Sequence, residues 1–291
     1  MTPAVDTGAS PAYREYPLPP PLSELVECVW ALRAPRRPVD APPERIFPDG
    51  CVEVIVQLDE RARSLRDTGR FELQPPAFLI GPLRAPLLLE PAGPMHTFGI
   101  RFRPGGAAPF LPFGVDRLGA AETTTADAFG AAGGRLTEEL GNASTDGARV
   151  EIARRFLLRR LATAAPMPSR FVSAAVRRML GASPSRTSIS ALARESGWSV
   201  SQLERRFRSE TGLTPRLLAR IVRFQRVFRA VGRDGSDWVS VALDCDYSDQ
   251  PHLIREFREF TGQTPGAFER AAPGLGARFV APDRLERFFA G

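Results

Sequence analysis

Lysine is missing from this sequence: all 39 basic residues are arginine. The absence fits GC-rich coding and receives no functional weight. Histidine is nearly missing, with only His96 and His252, which excludes a metal site built from several imidazoles. The three cysteines, Cys28, Cys51 and Cys245, are widely separated, odd in number and form no CxxC pair. They describe neither a disulfide framework nor a zinc ribbon, and a reduced, cytoplasmic protein is expected. No histidine is placed to activate Cys28 or Cys51 as a nucleophile. No run approaches the roughly 18 apolar residues that a membrane-spanning helix needs. The opening residues lack a basic start followed by an apolar core, so no export signal is expected. No Gly-rich phosphate loop occurs, and Arg103-Pro104-Gly105-Gly106 reads as a turn. Together these absences argue against an enzyme and predict no required cofactor and no metal.

What remains is 291 residues, 43% hydrophobic and 25% charged, enough for about two globular domains. Charge is unevenly placed. Residues 170–270 hold 17 Arg against 11 Asp or Glu, while the remainder holds 22 of each sign. The whole excess of positive charge lies on one third of the chain, as expected for contact with a polyanion.

The texture changes along the chain. Residues 1–24 are Pro-rich and read as irregular at the start. From about Leu25 to Phe113 short apolar runs alternate with Gly/Pro punctuation. Pro48-Asp49-Gly50 leads into the alternating Cys51–Leu58, and Phe78–Ile80, Leu87–Glu90 and Phe98–Phe102 follow. Such repeated short strands predict a small antiparallel barrel or sandwich. From about Asp116 the sequence becomes Ala-rich and helical. Ala164-Ala165-Pro166-Met167-Pro168 reads as a linker, and Ser169 to about Ala272 as helices with short turns. The expected class is α+β, with domains at 1–163 and 169–272, a linker at 164–168 and a tail at 273–291.

Two segments of the C-terminal third resemble each other. One runs from Ile189 through Gly197-Trp198-Ser199 to Thr214-Pro215, and the other from Trp238 through Asp246-Tyr247-Ser248 to Thr264-Pro265. Ala193 matches Ala242, Trp198 matches Tyr247, and Phe207 matches Phe257; the second copy carries one extra residue after its aromatic. Each reads as a short helix, an aromatic plug, a serine cap (Ser199 or Ser248), and a second helix packed through Leu203/Phe207 or Leu253/Phe257. That is the layout of a helix-turn-helix. The segment between them, Pro215–Val231, predicts a long connecting helix with Pro215 in its first turn, Gly232 at its exit and Arg recurring at 216, 220, 223, 226 and 229.

On the polar faces of the second helices lie Ser201, Gln202, Glu204 and Arg205 in one unit, and Gln250, His252, Arg255 and Glu256 in the other. Arg pairs bidentately with guanine and Gln with adenine, whereas Glu204 tolerates DNA only by accepting from cytosine. Arg206 borders the packed face. His96, before a presumed strand, reads as structural.

About Ser169–Ala272, with Tyr247-Ser248-Asp249-Gln250 and Phe257–Pro265, resembles the DNA-binding region of AraC/XylS-family regulators, a bacterial class. The resemblance implies a double helix-turn-helix reading two successive major grooves of double-stranded DNA, with base-reading positions on Ser201, Glu204 and Arg205 and on Gln250, His252 and Arg255. Asp246 departs from the family, which has Gly in that turn. The segment Ile46–Val56, with Gly81-Pro82 and Gly99–Gly106, resembles uncharacterised domains found ahead of such regions and is similar to the cupin-like arm of arabinose-type regulators. A sensing or dimerising domain is thereby implied, and RNA polymerase, a small-molecule effector and a second copy of the chain are the further partners this reading admits. Two alternatives stand beside it. An alkyl-acceptor repair protein would need a cluster of zinc-binding cysteines, and a helical protein–protein adaptor would bind without sensitivity to salt.

Overall fold

A computed structural model describes residues 11–38, 40–119, 121–163, 169–181, 188–231 and 237–270. The expected linker 164–168, the exit at Gly232 and the tail 273–291 lie outside the described residues.

The N-terminal half is a two-sheet antiparallel sandwich. Its strands are β1 Ala12–Tyr16, β2 Val26–Ala34, β3 Glu44–Ile46, β4 Val52–Gln57 and β5 Ala62–Leu65, followed by β6 Phe71–Leu73, β7 Ala77–Ile80, β8 Leu87–Pro91, β9 Met95–Phe102 and β10 Thr123–Thr124. They form a six-stranded sheet, β1-β2-β9-β4-β7-β10, and a four-stranded one, β3-β8-β5-β6. The start of the segment 1–24, expected to be irregular, lies outside the described residues, and within that segment a strand not foreseen in the sequence forms. Ala12–Tyr16 pairs along Val29–Arg33, and its strand character is hidden in the sequence by the prolines around it. His96 lies inside β9 and not before it, 3.7 Å from Asp146. Burial pushes its imidazole below the ordinary value, and the nearby Arg33 and Arg149 add to that shift.

Alternation along each central strand assigns the two faces of the large sheet. Val52, Val54 and Val56 share a buried core with Phe98, Ile100 and Phe102. Covering that face are helices α1 Thr125–Phe129, α2 Ala131–Asn142 and α3 Asp146–Ala162, contributing Phe129, Leu136, Leu140 and Phe156. The opposite face, with Glu53, Ile55 and Gln57 of β4, looks toward the small sheet and lines a cavity. Trp30, Gly99 and Ile55 lie side by side across the register on that face. A Cβ at Gly99 would overlap the Trp30 indole, so glycine is what lets the tryptophan lie flat against the sheet.

The C-terminal third is helical throughout its described residues: α4 Arg170–Gly181, α5 Ile189–Ser196, α6 Val200–Thr211, α7 Pro215–Val231, α8 Trp238–Asp244, α9 Gln250–Thr261 and α10 Pro265–Arg270. These helices share one core, which also takes in Phe47 and Cys51 from the N-terminal domain. Phe47 stacks at 5.9 Å on Phe228 and meets Phe268 edge-on at 5.7 Å. Among the described residues no helix is long and apolar enough to cross a membrane.

Replacing Gly99 by valine is expected to force the Trp30 ring from its place and to destabilise the sandwich by about 1–3 kcal/mol, the usual cost of overpacking. Urea unfolding of the variant against the parent checks this; equal midpoints would contradict the close approach.

Candidate nucleic-acid interface

The two repeats fold into the same sequence of local devices. In the first unit Ser188 caps α5 by accepting from the backbone N–H of Ala191 at 3.2 Å. The helix buries Leu192 and Ala193 and ends at Gly197 with φ 71°. The N–H of Trp198 then donates back to the carbonyl of Ala193 at 3.0 Å. In the second unit Asp237 caps α8, Val241 and Ala242 are buried, and Asp246 takes φ 63°. Tyr247 N–H donates to the Ala242 carbonyl at 2.8 Å, as Trp198 does to Ala193. Asp246 is the only described non-glycine residue with positive φ, so the turn keeps its left-handed geometry without its usual glycine. Aspartate tolerates that region better than most side chains.

The helix that follows each turn is capped differently. Ser199 and Gln202 form a reciprocal box: Gln202 N–H donates to Ser199 Oγ at 3.2 Å, and Ser199 N–H donates to Gln202 Oε1 at 2.8 Å. In the second unit the cap is Asp249, which accepts from the N–H of His252 at 2.6 Å, and not Ser248 as expected. The extra residue after Tyr247 moves the cap by one position. Beyond the caps the units converge again. Leu203 and Phe207, and Leu253 and Phe257, are buried. The Thr211 and Thr261 hydroxyls donate to the carbonyls of Phe207 and Phe257, each at 2.8 Å, and Gly212 and Gly262 close the helices with φ 76° and 77°.

On the outward faces Ser201, Gln202, Glu204 and Arg205 of α6 are exposed, as is Arg255 of α9, whereas Gln250 and His252 are half-buried. Arg205 and Arg255 hold equivalent places, each two residues after the buried leucine. The Gln202 carbonyl oxygen is engaged in the capping box. His252 Nδ1 lies 3.1 Å from Ser248 Oγ, with the ring edge-on to Tyr247. Arg206 lies over the Trp198 ring at 5.8 Å and pairs with Glu210 at 3.2 Å.

Glu256 does not belong with them. Its spacing suggested the polar face, but it is 4% exposed and pairs with Arg220 at 2.8 Å and Arg223 at 2.7 Å. Arg223 also lies over the Tyr247 ring at 4.5 Å, and Arg226 donates to the carbonyls of Leu180 and Gly181. These arginines belong to the basic excess of the sequence, but the structure turns them inward to fasten α7 to its neighbours. The three-residue spacing of 220, 223 and 226 on one helical face was the available signal. Burial works to raise the Glu256 carboxyl, but hydrogen bonds from Arg223 and Arg220 outweigh it and hold it below the ordinary range.

Residues 192–271 match a helix-turn-helix domain family. The C-terminal third carries an AraC-type helix-turn-helix domain. This domain makes the chain a DNA-binding transcription regulator. Residues 14–123, ahead of the AraC-type domain, match a domain of unknown function (DUF6597). No curated protein matches the chain. Among solved structures, apo ToxT from Vibrio cholerae strain SCE256 is similar at 8% identity and a TM-score of 0.45, over 82% of this chain and 96% of that one. The unsaturated fatty acid-bound wild-type ToxT of the same strain shows 6% identity and a TM-score of 0.41, over 78% and 93%. A DNA-binding transcriptional dual regulator from Escherichia coli K-12 shows 24% identity and a TM-score of 0.27, over 33% of this chain and 96% of that one.

Truncating Glu256 to alanine would leave two inward-facing guanidinium groups without their shared carboxylate, and is expected to cost about 3–5 kcal/mol. Glu256→Gln, which keeps shape and one acceptor, should cost less. Because the folded-state value of Glu256 is depressed, its contribution is present above the ordinary glutamate value of 4.5 and is lost as pH falls through the lower folded value. Denaturant melts at several acidic pH values check both points: the gap between parent and Glu256→Gln should narrow as pH drops, and a constant gap would contradict the pairing.

Proposed function

We propose that this protein is a sequence-specific, non-enzymatic transcription regulator acting in the cytoplasm, whose residues 169–272 read two successive major grooves of double-stranded DNA. In this reading residues 1–163 sense a small effector or pair with a second copy, 164–168 link the two parts and 273–291 form a tail; RNA polymerase is a further partner. The observation that carries it is the repetition itself. Two helices, each entered through the same left-handed turn and the same back-donated aromatic N–H, present an exposed arginine two residues after a buried leucine. A capped helix start with an exposed arginine one turn in is suited to base edges in a major groove.

Helix α7, 17 residues long, spans about 25 Å at 1.5 Å per residue. That length is on the scale needed to hold two readers about one turn of DNA, roughly 34 Å, apart. Arg205 and Arg255 are assigned direct base contact, Ser201, Glu204, Gln250 and His252 the flanking positions. Gln202 contributes its amide N–H groups alone, since its oxygen serves the cap.

Selection of bound sequences from a random DNA pool by the full-length chain should enrich two short blocks about one helical turn apart. Arg205→Ala and Arg255→Ala should each weaken binding to the enriched site by about 1–3 kcal/mol and relax preference within one block only. Equal losses on random DNA would assign these arginines to phosphates, and no enriched motif, with binding erased by moderate salt, would overturn the reading.

A further inference from the structure

The turn Pro48-Asp49-Gly50 holds a place in the fold that the regulator reading leaves unused. Residues 47–51 carry the chain from β3 of the small sheet to β4 of the large one, so the segment is anchored at both ends. Asp49 Oδ1 accepts from the Cys51 N–H at 2.9 Å, and Gly50 takes φ 82°. Three contacts along this short segment reach the helical domain. Phe47, 6% exposed, stacks on Phe228 at 5.9 Å and meets Phe268 edge-on at 5.7 Å. The Pro48 carbonyl accepts from Nε2 of the fully buried Gln225 at 2.6 Å. Gly50 lies so close to Leu218 of α7 that a Cβ there would stand 2.8 Å from its methyl.

Leu218 and Phe268 are equivalent in the two repeats, each three residues after the proline of a Thr-Pro pair. One loop therefore touches the same position of both units. The first unit has further holds on the sandwich. Pro82 and Val115 lie against Gly212, where a Cβ would come within 2.8 Å and 3.1 Å of them, and Arg84 donates to the Gly212 carbonyl at 3.1 Å. The second unit meets the sandwich through Phe47, with Arg45 beside Gly262. Phe268 in turn meets Phe257 edge-on at 5.6 Å, and Phe228 lies 5.7 Å from the same ring. Phe257 is buried on α9, so Phe47 backs the second helix of that unit through two aromatic neighbours.

We propose that Phe47 is a positioning residue for DNA reading: the loop 47–50 is a brace that fixes α9 relative to α6, and so sets the spacing between the two blocks of DNA that the chain accepts. The N-terminal domain thereby supplies part of the second unit's core. The inference rests on the regulator reading for its consequence on DNA, but the brace itself is testable without DNA.

Amide hydrogen exchange of the full-length chain would be compared with that of Phe47→Ala and of the milder Phe47→Leu. Removing the ring opens a cavity beside Phe228 and Phe268. The expected result for Phe47→Ala is exchange about tenfold faster or more in α9 and α10, with α5, α6, β4 and β9 near the parent. Phe268→Ala should reproduce the change in α9, and the double variant should add little to either, as for residues that act as a unit. In selection from a random DNA pool, Phe47→Ala should keep the block that Arg205→Ala relaxes and accept the other at variable spacing. Unchanged exchange in α9, or both blocks enriched at the parent's fixed spacing, overturns the inference. So does a Phe47→Leu chain whose sandwich and two units all loosen alike, since the ring would then be a general core residue; this variant decides the matter should Phe47→Ala fail to fold. A selective exchange change in a chain that enriches no DNA sequence upholds the brace and loses the regulator reading.

Discussion

Helix α7 occupies the centre of the helical domain because its polar side chains are paired as they are buried. Of residues 215–228 only Arg216 is exposed, an arrangement that a helix tolerates only when it is apolar around most of its girth. The exceptions are Arg220, Arg223, Gln225 and Arg226, and each has a specific partner. Glu256 takes two of the arginines, the α4 carbonyls take a third, and the Pro48 carbonyl takes the glutamine. A buried charge left alone is costly, while one held by a matched partner fixes geometry. The pairing between α7 and Glu256 therefore sets where α9 lies, and the glutamine ties α7 to the N-terminal domain.

Around that centre the repeat behaves as two copies of one corner. Each has a left-handed residue, an aromatic whose N–H returns to the preceding helix, a capped second helix, and a threonine that closes the far end on its own backbone. Differences between the copies are informative because the shared geometry survives them. Asp246 holds the left-handed turn that Gly197 holds in the other unit, and the inserted residue moves the cap from the serine to Asp249. The far corners, at Gly212 and Gly262, are where the N-terminal domain rests. Beyond the capped starts of α6 and α9, Arg205 and Arg255 stay exposed.

The charge distribution carries a related lesson. The basic excess of the C-terminal third pointed to a polyanion, yet much of the arginine on α7 serves internal packing. Arginine suits both tasks: its planar fork satisfies a carboxylate or several carbonyls at once, and its weakly hydrated head is cheaper to bury than an ammonium. Counting charge along the sequence locates the domain but does not separate the arginines that meet a partner from those that hold the domain together.

Much of the helical domain was legible in the sequence because its signals are local. Caps, turn glycines, and leucine and phenylalanine four apart act within one or two helical turns, and repetition of the pattern distinguished it from a chance helical hairpin. The sandwich was legible as strands, through Val52–Gln57 and Phe98–Phe102, while β1 was masked by neighbouring prolines. The tertiary structure alone decided that Glu256 turns inward, that Trp30 lies on Gly99, and that one loop bears Phe47 toward both a cavity and the core of the other domain. Those outcomes join residues 33 to more than 170 positions apart. Sequence periodicity states which face of an element is buried, but what it is buried against is fixed only when separate elements pack.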